Sequence, residues 1–229
     1  MTDDKYLRQA KFLYLCLAGV FISLIVTCNL IFLKFFELEL VDGFTMVLSV
    51  GLIPYPITFL VTDLISEIYG RSKANQVVVV GLICSVLVMG ITIVTDLIPA
   101  RPESPVNDGT YSLVFGLTAA SVSASMIAYL LAQFIDIKIF HWLKEMTKGK
   151  KLWLRNNLST IPSQLVDSFA VITLLCSFGA IAWAEFPITV FSLFVFKMLV
   201  ALADTPFFYL FSYLIKRHFK LGDLDELKI

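Results

Sequence analysis

Two carboxylates one helical turn apart, inside an apolar run, are the first residues in this sequence that could do chemistry. They are Asp63 and Glu67, in the stretch "FLVTDLISEIYGRSKA". At i, i+4 they share one face of a helix. Further along, "IPSQLVDS" places Ser163 and Asp167 i, i+4 with Gln164 between them, so an amide and a carboxylate point the same way. "KMLVALADTP" puts Lys197 and Asp204 two turns apart on one helix face, and Pro206 loosens the backbone just beyond. Arg155 in "LWLRNN" and Asn29 in "VTCNLI" complete the candidate set. Paired acids, an amide and one or two cations suit a small, flat, polar molecule rich in N–H donors and carrying one carbonyl acceptor. Adjacent N–H groups on a purine-like ring meet a carboxylate as guanidinium does, through two parallel hydrogen bonds. Gln, Asn, Lys or Arg would satisfy the ring carbonyl.

The elements that position these residues are membrane helices. The chain has 229 residues, is 58% hydrophobic and only 16% charged, and contains 20 Phe; its mean hydropathy is +0.84. A soluble domain would carry roughly a quarter charged residues. Six segments are long and apolar enough to span a bilayer, at 12–33, 45–65, 77–98, 113–135, 158–183 and 188–215. The expected fold is therefore all-α, one six-helix transmembrane domain over residues 1–229. "LIPARPESPVNDGTY" reads as a loop, and "LKEMTKGKKLWLR" as a basic connection. Lys and Arg crowd the N-terminal residues, the segment after Glu67, that basic connection and the end of the chain. By the positive-inside rule this places both termini in the cytoplasm. No loop is long enough for a soluble domain, so function must sit among the helices.

Inside a membrane a carboxylate costs at least about 2.5 kcal/mol, so it must face protein or a wet cavity. For some residues a structural role competes with a ligand role. Lys197 could bridge one of the acids, Arg155 could anchor at the interface beside Trp153, and Glu67 could pair with Arg71 or Lys73. Asp136 and His141 are expected at the cytoplasmic interface and Asp96 at the outer one. Formal net charge is zero, so no nucleic-acid partner is indicated. The four cysteines lie in apolar runs without CxxC spacing and read as small core residues. The first apolar run is too long for a cleavable signal.

With these residues in view, the sequence resembles the bacterial queuosine precursor transporters, formerly grouped with vitamin uptake transporters. The likeness rests on "TDLISEIYG", "LWLRNNLSTIPSQLVDS" and "KMLVALADTPFFY", in order and at compatible spacing over nearly the whole chain. The resemblance implies an inner-membrane importer of 7-deazaguanine bases (7-cyano-7-deazaguanine, its aminomethyl form or queuine) for tRNA queuosine synthesis, with no cofactor or metal. Carried over by motif, the first block gives Thr62, Asp63 and Glu67. The second gives Trp153, Arg155, Ser159, Gln164 and Asp167, and the third Lys197, Asp204, Thr205 and Pro206. One departure is Pro162 and Ser163, where the family pattern has a small residue before Gln164. The fold implied is similar to that of the substrate-binding subunits of energy-coupling-factor vitamin importers.

Two other function classes stay open at this point. A binding subunit of a larger importer would need a separate ATPase module, because the chain has no GxxxxGK[ST] stretch. An intramembrane enzyme using paired acids is chemically feasible, but GxGD, HExxH, GxSxG and DGxxAR-like stretches are all missing. The reading adopted is a transporter rather than an enzyme. Its partners are a deazapurine base and the lipid bilayer; a homo-oligomer or an energising module is not legible in the sequence.

Overall fold

Twenty helical residues cover the roughly 30 Å apolar core of a bilayer, and most of the apolar runs form helices of that order. The computed structural model describes residues 2–32, 34–41, 44–115, 119–177 and 182–229. In chain order these form α1 (Thr2–Ile31), β1 (Phe35–Val41), β2 (Phe44–Ser49), α2 (Tyr55–Tyr69), α3 (Arg71–Asp96), α4 (Asp108–Phe115), α5 (Ala119–Met146), α6 (Leu152–Ser177) and α7 (Phe186–Phe219). Among the described residues five helical stretches are long and apolar enough to cross a membrane, carried by α1, α2 with the turn before it, α3, α6 and α7. The chain is a multi-pass membrane protein. Its exposure pattern inverts that of a soluble domain: Leu87 on α3 is 62% exposed, whereas Asp63 on α2 is 1% exposed.

Helix α2 is the hub. It packs against α1, α3, α5 and α7, and 11 of its 15 residues are buried. Thr58, Thr62 and Ser66 recur every fourth residue, and such small residues let neighbouring backbones approach closely. The Thr62 hydroxyl donates back to the Thr58 and Phe59 carbonyls, at 3.1 and 2.9 Å. The Ser66 hydroxyl, by contrast, has no hydrogen-bond partner among the described residues.

Three expectations need correction. The fold is not purely helical. Residues 45–49, expected to open the second span, are strand β2, paired antiparallel with β1. Phe36, Leu38, Met46 and Leu48 alternate along the two strands and pack on Ile172 and Cys176 of α6 and Leu193 of α7. A period of two selects strand, and Pro54 and Pro56 then hold the helix start back to Tyr55. Second, the segment expected to run as one helix over 113–135 is divided between α4 and α5, with 116–118 outside the described residues. The loop expected over 97–111 is already helical from Asp108, because the Asn107 side chain caps the Thr110 N–H at 2.8 Å. Third, α6 begins at Leu152, six residues before the expected 158, and ends at Ser177. Lys148, Gly149 and Lys151, all at positive φ, complete the turn from α5 sooner than the run of charges implied. Arg155 is consequently inside the bundle and not at its rim.

Beyond α7 the chain folds back across the end of the bundle where Lys and Arg concentrate, hereafter the basic end. Lys220 ends the helix in a left-handed conformation. The Leu227 N–H donates to the Ile68 carbonyl at 2.7 Å, and Leu221, Leu227 and Ile229 pack on the main core. Gly70 is the residue over which this segment passes. At φ +84° it occupies a backbone region that L side chains rarely adopt, and a Cβ there would lie 2.2 Å from Glu226 Oε2. Gly70→Ala is expected to cost about 1–3 kcal/mol, most of it backbone strain, since the Glu226 carboxylate can swing aside. The measurement is the unfolding midpoint in detergent; an unchanged midpoint would show that the turn accommodates a side chain.

Candidate functional site

Polar side chains on α2 meet partners at three levels. At the basic end Glu67, fully buried, accepts two hydrogen bonds from the Arg155 guanidinium: Nη1 to Oε2 at 2.7 Å and Nη2 to Oε1 at 3.2 Å. Lys216 of α7 reaches the same Oε1. Lys144 of α5 donates to the Glu67 carbonyl at 3.1 Å and lies 3.8 Å from Oε2, while also holding Glu226 at 3.1 Å. Arg155 also donates to the Gly149 carbonyl at 3.0 Å and lies 5.4 Å from the Phe140 ring, while its Nε has no partner among the described residues. One carboxylate therefore ties α2 to α5, α6 and α7. Both of its oxygens are taken by protein cations.

In the middle level Asp63 of α2 and Asp136 of α5 are both buried, beside the Thr62–Gln133 contact that joins the same two helices. Asp136 Oδ1 accepts from the Ser163 hydroxyl at 3.2 Å. A chain of side-chain bonds continues between the same two helices. The Thr62 hydroxyl oxygen lies 3.2 Å from Gln133 Oε1, Gln133 donates to Tyr129 at 2.6 Å, and Tyr129 to Thr58 at 2.9 Å. Asp136 was expected at the interface, but it is 0% exposed. The correction follows from α5 running on to Met146, which leaves residue 136 in mid-bundle.

The third level lies toward the N-terminus of α2. Asp167 Oδ2 accepts from the Tyr55 hydroxyl at 2.6 Å and from Lys197, whose ammonium sits 4.7 Å over the Tyr55 ring. Beside this triad a cleft opens between α2, α6 and α7. Its apolar walls include Pro56, Phe59 and Phe196, and its polar groups are Thr160, Gln164, Lys197 and Asp204. Gln164 Oε1 is buried without a hydrogen-bond partner among the described residues. Asp204 has no cation within 4.0 Å among the described residues. The cleft volume is about 20 Å³, room for a water molecule but not for a ring. Across its rim Asn157 of α6 and Thr205 of α7 are hydrogen bonded at 3.1 Å, next to Pro206.

The eight sequence candidates thus divide among several places. Gln164, Lys197 and Asp204 line the cleft, and Asp167 touches it through Lys197. Glu67 and Arg155 bind one another at the basic end. Asp63 lies between these levels. Asn29 stands apart, 3.5 Å from Ser85 in a separate groove between α1 and α3. Tyr55, Asp136, Lys144 and Lys216 were not among the candidates. Tyr55 lay inside an expected span with only its phenol as a signal, and the two lysines were read as topology markers.

Residues 49–211 match a family model described as "Putative vitamin uptake transporter". That range contains every candidate named above except Asn29, together with Asp136. Over 172 residues, 74% of this chain and 73% of the relative, the sequence is 26% identical to a Bacillus subtilis (strain 168) protein named "Probable queuosine precursor transporter". No solved structure matches the chain.

Proposed function

Because the chain belongs to the vitamin uptake transporter family that includes the queuosine precursor transporters, we propose that it imports a 7-deazaguanine base across the bacterial inner membrane, with its basic end in the cytoplasm. The cleft between α2, α6 and α7 is the base site. The observation that carries this reading is Gln164: among the described residues a buried amide oxygen without a donor, beside a carboxylate without a cation, between Phe59 and Phe196. Buried polar groups are normally satisfied, so an unfilled acceptor in a cleft marks a position for a ligand N–H.

The chemistry assigns roles. Asp204 takes the adjacent ring N–H and exocyclic amine of the base as a two-pronged pair. Gln164 accepts from one ring N–H and offers its amide N–H to a ring acceptor. Lys197, neutralised by Asp167, stands at the rim for the ring carbonyl, and the phenylalanines cover the ring faces. Glu67 and Arg155 take no part in capture, because each is already committed to the other. Entry of a ring requires α7 to draw away from α2 and α6. Both α6 and α7 carry an internal proline, Pro162 and Pro206, at which a helix bends most readily. Rocking about these points would open the site to each side in turn.

The test is uptake of labelled 7-cyano-7-deazaguanine by cells that cannot make it and that express only this chain. Import well above that of cells without the chain is expected, as is labelling in liposomes holding the purified protein alone. No import of this base, its aminomethyl form or queuine would overturn the reading.

A further inference from the structure

The base cleft leaves one built feature of the bundle unused, the pair Asp63 and Asp136. Both are at least 99% buried, and Asp63 Oδ1 and Asp136 Oδ2 lack any hydrogen-bond donor among the described residues. Among the described residues no cation lies within 4.0 Å of either. The nearby basic groups are committed elsewhere: Arg155, Lys144 and Lys216 to Glu67, and Lys197 to Asp167. The remaining charged groups facing the pair are acids, Glu67 on α2 and Asp204 on α7. An ionised carboxylate only accepts hydrogen bonds. Two buried carboxyls on facing helices, each with an oxygen lacking a donor and with no cation among the described residues, are best accommodated by one proton held between them, because neighbouring like charges out of water cannot both ionise.

We propose that Asp63 and Asp136 form a proton-binding site that couples movement of the base to movement of a proton. In the state described here the proton sits between the two carboxyls, and the Ser163 hydroxyl steadies Asp136. Ser163 directly precedes Gln164 on α6, and Gln164 lines the base cleft. Base occupancy and the setting of the pair are therefore joined through a single helix turn. When α7 moves and one side opens, water reaches the pair and the proton leaves to that side. A neutral base travelling with one proton gains up to about tenfold accumulation per unit of pH gradient.

This inference rests on the transporter reading, and its test separates the two. Purified chain in liposomes is given labelled base with and without an imposed gradient, acidic on the side of entry. Wild type is expected to concentrate the label several-fold above equilibrium, and a protonophore to abolish the excess. Asp63→Asn and Asp136→Asn are expected to bring the label no higher than equilibrium. Infrared spectroscopy supplies a readout independent of transport: wild type at neutral pH shows the carbonyl stretch of a buried carboxylic acid, which the double variant Asp63→Asn/Asp136→Asn loses. Entry of base that ignores the gradient, or a wild-type spectrum without that band, would overturn the proton site while leaving the importer intact. Failure of wild type to move any label, with the band present, would instead overturn the transporter reading and the coupling with it.

Discussion

Replacing Glu67 with glutamine is expected to destabilise the protein by about 3–5 kcal/mol, because it strips buried cations of their shared counter-charge. Glu67 is fully buried and receives Arg155, Lys216 and Lys144. The Arg155 side chain is 1% exposed, so water cannot replace the lost carboxylate. Among the described residues the only other acid in the cluster is Glu226, which reaches Lys144 alone. The measurement is the unfolding midpoint in detergent together with the yield of monodisperse protein. Removing charge on both sides tests the cause: Glu67→Gln/Arg155→Met is expected to be more stable than Glu67→Gln by a coupling term of the kind that close ion pairs show. A Glu67→Gln protein that folds normally but no longer takes up base would place Glu67 in the ligand site and contradict the clamp.

The second large effect concerns the cleft. Gln164→Leu and Asp204→Asn are expected each to lower the kcat/KM of uptake by roughly a hundredfold, with the amount of folded protein unchanged. Each variant removes one or two hydrogen bonds to the base, and leaving buried partners unmade costs about 1–3 kcal/mol apiece. The fold survives because neither group contributes an ion pair to it. A substrate-side comparison sharpens the assignment. A base without the exocyclic amine loses the partner of Asp204, so its penalty and that of Asp204→Asn are expected to be markedly less than additive. Full additivity would move the amine to another side chain.

Much of the architecture was legible because lipid imposes a coarse rule: about twenty apolar residues make a helix. α1, α3 and α7 cover nearly all of the expected runs, although α1 starts at Thr2, ten residues before the expected 12, and α3 at Arg71, six before the expected 77. The hairpin did not follow the rule, because "TMVLSVGLI" taken alone is too short and apolar to distinguish strand from helix, and the alternation that selects strand lies in the preceding "FFELELV". Arg155 was misplaced for a different reason. Charge marked its segment as a connection, and only Glu67, 88 residues away in sequence, makes burial of a guanidinium tolerable. The same holds within one motif. Asp63 and Glu67 share a helix face as the spacing required, yet one lies beside the contact between α2 and α5 and the other meets a guanidinium of α6. Helical spacing gives direction; it does not say what stands opposite. Lys197 illustrates this too, bridging to Asp167 on the neighbouring helix and not to Asp204 on its own.

The most direct test is equilibrium binding of 7-cyano-7-deazaguanine to the purified chain, comparing wild type with Gln164→Leu, Asp204→Asn and Asn29→Leu. Saturable binding is expected in wild type, weakened at least about tenfold by each of the two cleft substitutions, or about 1.4 kcal/mol, and unaltered by Asn29→Leu in its separate groove. Binding that survives both cleft substitutions at wild-type strength would mean that the base is held elsewhere.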